Sequence, residues 1–252
     1  MGMQIQAGMW EIESPQRSGL EGARPVAGDE RATSSDSLPA GRVEARPRSL
    51  WAILYKDYRR YRAAGARNAL SVVALTQGFW ASAIFRLSHW ALARFTWPIL
   101  RTMAKVFCLL FQKFIEVITG ISIPARSHIG PGLYIGHFGG IFVDSDCRIG
   151  ENCNLSQGVT IGKGGRGELH GVPTLGDRVH VGANALILGR ISIGNDAVIG
   201  PGAVVMDSVP PRGVAMGNPA RVVGLEGSFD FVNYDDKEND PARKAAQQTE
   251  AA

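Results

Sequence analysis

TLGDRVHVGANALILGRISIGNDAVIGPGAVV, residues 174–205, repeats one aliphatic position every sixth residue. The same spacing occurs upstream from residue 123, with one interruption before residue 174. The repeated positions are Ile123, Ile129, Ile135, Ile141, Cys147, Cys153, Val159, Leu175, Val181, Ile187, Ile193, Ile199 and Val205. A period of six residues matches neither an amphipathic helix nor one long alternating strand. It predicts short strands, separated by corners, that stack so that equivalent side chains share one interior.

Two further features support this interpretation of the repeats. A glycine often follows the aliphatic residue, as at Gly176 and Gly194, and glycine adopts corner conformations that a Cβ resists. The interval from Val159 to Leu175 is sixteen residues, which is one repeat plus ten. We expect the ten extra residues to form a loop within residues 162–174, because a stacked solenoid tolerates insertions at its corners.

Four blocks of the sequence resemble the hexapeptide-repeat acyltransferases. Within that group they are most similar to the serine O-acetyltransferase family, including its branch encoded with polysaccharide pathways. The blocks are GLYIGHFGGIFV (132–143), NCNLSQGVTIGKG (152–164), VGANALILGRISIGNDAVIGPGAVV (181–205) and SVPPRGVAMGNPARVVG (208–224). The resemblance implies an α+β chain, in which an α-helical segment precedes a left-handed parallel β-helix of hexapeptide repeats.

Composition divides the chain into four segments. Residues 1–48 have no sustained period, and we expect a disordered tail there rather than a signal peptide. Helical patterns predict an α-helical domain over 49–120, in which Pro98 begins the last helix and Gly120 closes it. The β-helix acyltransferase domain is expected over 121–225. Residues 226–252 are polar, and we expect this tail to fray.

The helical region combines aromatic and basic side chains, among them Trp90, Trp97 and Arg101. Its scattered cations argue against a membrane-spanning helix. Two interpretations stay open for residues 70–118. Either the apolar faces pack against one another and against another subunit, or the segment makes peripheral contact with an anionic membrane. We expect a cytoplasmic protein, membrane-associated in the second case.

Overall composition argues against several classes of protein. A hydrophobic fraction of 45% and a charged fraction of 20% are typical of a globular domain. The net charge is only +4. Nucleic-acid binding usually shows a focused basic face, for which this charge is poor evidence. Three cysteines provide no disulfide framework. Cys147 and Cys153 are expected to be small reduced residues in the core.

Two histidines carry the chemistry that the resemblance implies. His137 lies one residue after a repeat glycine and His170 lies in the inserted loop, where the family has the histidines that serve the acceptor hydroxyl. A neutral imidazole can take the proton of an alcohol as its oxygen attacks a thioester, and can return that proton to the leaving thiolate. The resemblance therefore implies that His137 is the general base and His170 an acceptor-binding partner or second base.

The sequence departs from the family pattern around the acceptor. Gly136 and Ser122 occupy positions where the serine enzymes carry carboxylates, and Leu169 replaces the arginine before the loop histidine. An arginine binds a carboxylate through two hydrogen bonds, which a leucine cannot replace. Glu168 keeps a negative charge beside His170. These departures weaken L-serine as the acceptor and make a saccharide hydroxyl of a cell-surface polysaccharide an alternative.

The resemblance also implies a site for acetyl-CoA as co-substrate. In the family, backbone groups of neighbouring coils line the groove for the pantetheine arm. The corresponding residues here are Gly182, Ala183, Gly200 and Pro201. Lys163 and Arg221 are candidates for contact with the phosphates.

Two alternatives belong to other classes. A metal enzyme on the same solenoid would need three histidines around zinc with one open position, and the four histidines at 128, 137, 170 and 180 lack the required spacing. We therefore expect no metal. A non-catalytic scaffold of stacked coils is the second alternative, but it would not need a loop that carries a histidine.

Expected partners follow from the resemblance. The family's acetyl-CoA groove lies between adjacent subunits, so we expect a homotrimer or a dimer of trimers. The acceptor would be a small molecule or a saccharide. Some members bind cysteine synthase through a C-terminal isoleucine, but this sequence ends Glu250-Ala251-Ala252, and we expect no tight complex.

Overall fold

The computed structural model describes residues 49–66 and 68–248, with side chains up to residue 245. The tail expected over 1–48 and the last residues, 249–252, lie outside this range. The helices are α1 (Leu50–Ala63), α2 (Ala69–Leu75), α3 (Gln77–Arg94), α4 (Pro98–Thr119) and α5 (Pro241–Gln248). The strands are β1 (Ile121–Ser122), β2 (His128–Ile129), β3 (Tyr134–Ile135), β4 (Ile141–Val143), β5 (Arg148–Ile149), β6 (Asn154–Leu155), β7 (Thr160–Gly162), β8 (Thr174–Leu175), β9 (His180–Val181), β10 (Leu186–Leu188), β11 (Ser192–Ile193), β12 (Val198–Ile199), β13 (Val204–Val205), β14 (Val214–Gly217) and β15 (Ala220–Gly224).

The strands form three parallel sheets, one on each side of a triangular coil. We call them sheet A (β1-β4-β7-β10-β13), sheet B (β11-β8-β5-β2) and sheet C (β14-β12-β9-β6-β3), the last extended by the antiparallel strand β15. From β1 to β10 each strand pairs with the third strand along the chain, so three hexapeptides make one coil. Strand β12 pairs with β14, because the position between them forms only an isolated bridge, Ile193 to Val209. The prediction of short stacked strands separated by corners is confirmed.

All thirteen repeated positions are buried in one core, as predicted. They nevertheless belong to two rows of the interior. Ile135 pairs with Leu155, twenty residues on, whereas Val181 pairs with Ile199, the eighteen residues of three plain repeats. The first coil therefore contains two extra residues. The predicted insertion of ten residues before Leu175 included these two. The insertion at that point is therefore eight residues long, since Ile149 pairs with Leu175, twenty-six residues on.

The helices cover the open end of the first coil through a buried ion pair. Asp57 of α1 and Arg86 of α3 are 0% and 6% exposed, with Arg86 Nε 2.9 Å from Asp57 Oδ2. Asp57 Oδ1 accepts hydrogen bonds from the backbone N–H groups of Gly132 (2.7 Å) and Leu133 (3.1 Å). The guanidinium of Arg86 donates to the carbonyl of Gly130 at 2.7 Å. Both charges are thus compensated by each other and by the corner between β2 and β3.

Helix α4 leads into the β-helix. It begins at Pro98 and ends at Gly120, which adopts the left-handed conformation with φ 64°, as the sequence predicts. The N–H of Ile141 donates to the carbonyl of Gly120 at 3.0 Å. The C-terminal end of α4 therefore lies against the corner that precedes β4.

The segment after residue 225 differs from the expectation of a frayed tail. Ser228 and Val232 are fully buried, and Arg243 is 4% exposed. Ser228 lies over a buried pair in which Arg178 donates two hydrogen bonds of 2.8 Å to Asp196. This segment packs against sheet C because it provides hydrogen-bond partners for polar groups of the coils, such as the carbonyl of Arg178.

No single described helix is long and apolar enough to cross a membrane, whereas α2 and α3 together are, by length and composition alone. They share an uncharged run of eighteen residues, 68–85, which the sequence analysis overlooked. The two helices are bent by 79° at the break between them.

Candidate active site

One corner of the β-helix collects most of the residues predicted to bind acetyl-CoA. Corner hydrogen bonds connect Gly158 N to Gly139 O (2.9 Å), Asn184 N to Gln157 O (2.9 Å) and Gly202 N to Ala183 O (2.8 Å). The turns at 136–140, 156–158, 182–184 and 200–202 are therefore stacked in one line. Gly182, Ala183, Gly200 and Pro201 lie on this line with His137. Their role in binding stays a prediction.

His137 lies where the two extra residues of the first coil leave the solenoid. Gly139 matches Gln157 in the corner hydrogen bonds, so the surplus lies between Ile135 and Gly139. His137 and Phe138 are both exposed, with Phe138 at 55%. Gly139 has φ 101°, a conformation that a side chain would strain. The local geometry thus presents an imidazole on the outside of the corner.

Gly136 is exposed but is restricted on one side by Tyr134. A Cβ at residue 136 would lie 3.2 Å from the hydroxyl oxygen and from one ring carbon of Tyr134. Tyr134 itself contacts Tyr61 of α1, with ring centroids 4.9 Å apart. The position of the family's carboxylate is therefore bordered by an aromatic ring, which the sequence analysis did not identify.

The inserted loop is a closed structure on a different corner. Gly164 and Gly171 exchange two backbone hydrogen bonds of 3.0 Å, and Arg190 N donates to Leu169 O at 2.9 Å. A short 3₁₀ turn spans Gly167–Leu169 and carries Glu168. His170 is exposed, with its Nδ1 3.4 Å from Gly165 O.

A single chain does not bring the two histidines together. His137 precedes the strands of sheet A and the His170 loop follows them, so a three-residue strand, about 10 Å, separates the two corners. Lys163 begins the inserted loop. Arg221 lies on β15 at the other end of the β-helix, 3.5 Å from Asp207. Of the predicted site residues, those on the His137 corner and those on the loop form two separate groups.

The three sheets differ in what covers their outer faces. On sheet C, Asn154 and Val198 are buried, and Asn154 donates to Phe231 O at 2.9 Å. Sheet B presents a polar outer row. Sheet A presents a mainly apolar one, which is covered at one end, where Ser122 donates to Glu116 of α4, and is open elsewhere among the described residues. That row is Ser122, Phe142, Thr160, Leu186 and Val204.

The remaining candidate groups do not suggest another nucleophile. Burial raises the pKa of Cys147 and of Cys153 to about 12, so both thiols are protonated at neutral pH. Burial also lowers the pKa of His180, whose ring stacks on Phe231 with centroids 4.9 Å apart. These residues agree with a structural interpretation.

Comparison with known proteins identifies the family of this chain. Residues 173–206 match the bacterial transferase hexapeptide (six repeats) family. The serine acetyltransferase of Mycobacterium tuberculosis is 36% identical over 179 residues, covering 68% of this chain and 74% of that protein. The chain belongs to the serine acetyltransferase family. The enzyme of Helicobacter pylori strain 26695 is also 36% identical, over 63% of this chain and 88% of its own.

Solved serine acetyltransferases have the same fold. The Neisseria gonorrhoeae enzyme in complex with serine has a TM-score of 0.60 at 28% identity, covering 69% of each chain. The Brucella abortus enzyme in complex with coenzyme A has a TM-score of 0.58 at 30% identity, covering 71% of this chain and 67% of its own. The expected fold class, helices followed by a left-handed parallel β-helix, is confirmed.

The geometry of the loop yields a prediction with a matched control. A Cβ at Gly165 would lie 2.1 Å from Leu169 O, whereas a Cβ at Gly167 meets nothing within 4 Å. Both glycines have positive φ, 79° and 56°, so alanine costs each a similar backbone strain of about 1 kcal/mol. We expect Gly165→Ala to open the loop and lower kcat/KM for acetyl transfer at least tenfold, because His170 is displaced.

Gly167→Ala should stay within about threefold of the wild type, and both variants should keep its Tm within a few degrees, because the loop is outside the core. Steady-state kinetics and thermal unfolding measure both effects. Equal activity of the two variants would show that the loop's closed form does not matter.

Proposed function

We propose that this chain transfers the acetyl group of acetyl-CoA to a hydroxyl acceptor, and that this acceptor is L-serine, as the family name implies. The observation that carries the proposal is the two-residue insertion that exposes His137 at the head of the corner formed by Gly182, Ala183, Gly200 and Pro201. We also propose that the reaction takes place in the cytoplasm, where acetyl-CoA is available as the donor. No metal is required by the chemistry that follows.

His137 acts as the general base. Its neutral imidazole accepts the proton of the acceptor hydroxyl while the oxygen attacks the thioester carbonyl. The tetrahedral intermediate collapses as the carbon–sulfur bond breaks, and the imidazolium returns the proton to the leaving thiolate. The products are the O-acetyl ester and CoA with a free thiol, and the histidine is regenerated.

The backbone of the stacked corner accommodates the pantetheine arm. Gly182 lets neighbouring coils stack closely at this corner, because a Cβ there would lie 2.7 Å from Pro201 N. Lys163 is exposed on the loop side, and Arg221 is 66% exposed beside Asp207. We assign both cations to the phosphates of CoA, where lysine and arginine provide charge-assisted hydrogen bonds.

The complete site forms between copies of the chain. Sheet A is mainly apolar, open beyond its first strand among the described residues, and flanked by the His137 corner on one side and by the His170 loop on the other. Packing of neighbouring copies through this face places His137 of one copy near the loop of the next. Closed cyclic assembly satisfies every such face, so we propose a trimer or a dimer of trimers.

A saccharide hydroxyl is a second candidate acceptor, and a specific observation favours it. Gly136, Ser122 and Leu169 stand where the serine enzymes carry two carboxylates and an arginine. Instead Phe138 and Leu169 are 55% and 56% exposed, and Tyr134 borders Gly136. An apolar border suits the C–H face of a sugar ring better than the ammonium and carboxylate of an amino acid.

The role of His137 is tested by His137→Ala. We expect kcat to fall by roughly 100- to 10,000-fold, the usual contribution of a positioned acid–base group. The Kd for acetyl-CoA should barely change, because the histidine serves the acceptor. His128→Ala, on the outer face of sheet B, is the control. Thiol release from acetyl-CoA, measured with chelator present, gives the rates. Retention of more than about a tenth of the wild-type activity by His137→Ala would place the base elsewhere.

The acceptor is tested by the double variant Gly136→Asp, Leu169→Arg. It restores the carboxylate and the arginine, so kcat/KM for L-serine should rise relative to that for a sugar acceptor. Gly136→Asp also requires Tyr134 to move, and Leu169→Arg alone serves as the control. If the wild type already uses serine well and the double variant gains nothing, these two positions do not define the acceptor.

A further inference from the structure

Helix α4 presents a wide apolar face that no described residue covers. Exposed apolar side chains recur along the helix at helical spacing. They are Ile99 (69%), Met103 (65%), Val106 (53%), Leu110 (64%), Phe114 (60%) and Val117 (85%). Phe107, 55% exposed, lies beside this row. We call these seven residues the α4 face. An exposed apolar patch of this size marks a site of interaction.

The rest of the protein contacts the opposite side of α4. Cys108 and Thr119 are buried, and Ala104 and Ile115 are half-buried. At 100° per residue these four positions fall within a narrow stripe, which lies away from the α4 face. Helix α4 is thus attached to α3 along one edge and stands out from the molecule.

The helical region has an excess of positive charge, and the cations Arg101 and Lys105 lie on the polar side of α4, opposite the α4 face. Residues 69–119 contain five cations and a single acid, Glu116. Arg86 is buried and forms an ion pair with Asp57, and Lys113 forms an ion pair with Glu116 at 2.5 Å. The remaining three, Arg94, Arg101 and Lys105, are exposed and form no ion pair with any described residue.

We infer that the α4 face binds an anionic lipid surface. An interfacial helix combines an apolar face with lysine and arginine on its polar side, and its binding includes electrostatic attraction to anionic lipid. A second copy of the chain would bring another segment with the same excess of cations, and the one acid of α4, Glu116, is already paired with Lys113. Charge complementarity therefore selects the lipid.

The helix lies in the plane of the interface and does not span the bilayer. Trp97, 72% exposed, precedes its first turn, where an amphipathic ring suits the level of the headgroups. The last residue of the helix adjoins Gly120, whose carbonyl accepts from Ile141 N at 3.0 Å at the His137 corner. Docking through α4 consequently holds that corner beside the lipid surface. This inference does not depend on the identity of the acceptor.

Co-sedimentation of the full chain with vesicles tests the inference. One set contains phosphatidylglycerol and phosphatidylcholine in equal amounts, and the other phosphatidylcholine alone. We expect binding to the anionic set, weakened by salt. Arg101→Gln with Lys105→Gln should weaken it roughly 30-fold, since each cation near an anionic surface contributes about a factor of five. Leu110→Ser with Phe114→Ser should abolish it. Arg148→Gln with Arg190→Gln, exposed on the β-helix, is the matched control and should leave binding within a factor of three.

Three outcomes would overturn the inference. The first is wild-type protein that remains in the supernatant with anionic vesicles. The second is a control pair that weakens binding as much as the α4 pair does. The third is a wild-type mass in solution that halves in Leu110→Ser with Phe114→Ser, which would show that a second copy covers the face. Light scattering measures the mass, and circular dichroism shows that each variant is folded.

Discussion

Parallel hydrogen bonds hold each residue of the β-helix over its equivalent in the next coil, and this register determines the rest of the structure. The row Ile135, Leu155, Val181 and Ile199 shows the constraint, since each member pairs with the next. Additional residues cannot be absorbed inside such a stack. They leave it at the corners, so the two-residue insertion exposes His137 and the eight-residue insertion forms the closed loop of His170. The candidate chemistry lies where the repeat is broken.

A stack of coils also needs ends and sides, and these are where polar groups are buried. Asp57 and Arg86 compensate each other while satisfying backbone groups of the first coil. The chain after residue 225 covers sheet C and supplies partners around Arg178 and Asp196. With one end and one side covered, sheet A remains the apolar face between the two histidine corners. The covering elements thus determine where a neighbouring copy can pack.

Much of the fold could be predicted from the sequence, because all thirteen repeated side chains point into one core. The two-residue insertion could not be predicted, because both interior rows are apolar. Counting every sixth residue passes from one row at Ile135 to the other at Ile141 without any change in residue type. The packing of residues 226–245 depends on Ser228 and Arg243 meeting an ion pair formed elsewhere in the chain, which periodicity does not reveal. The histidines were found by resemblance, but only the sheet topology showed that they lie on different corners. Tyr134 and Phe138 gave no signal beyond being aromatic beside a repeat glycine.

We propose that one site combines His137 of one copy with the His170 loop of its neighbour. Mixing two inactive variants, His137→Ala and His170→Ala, after dissociation and reassembly tests whether the site is shared. No chain in the mixture has both histidines. A site shared between two copies can still contain His137 from one copy and His170 from the other. In an equimolar mixture about a quarter of the sites would then be intact, and about a quarter of the wild-type thiol-release rate should return. A rate no higher than that of either variant alone would contradict the shared site.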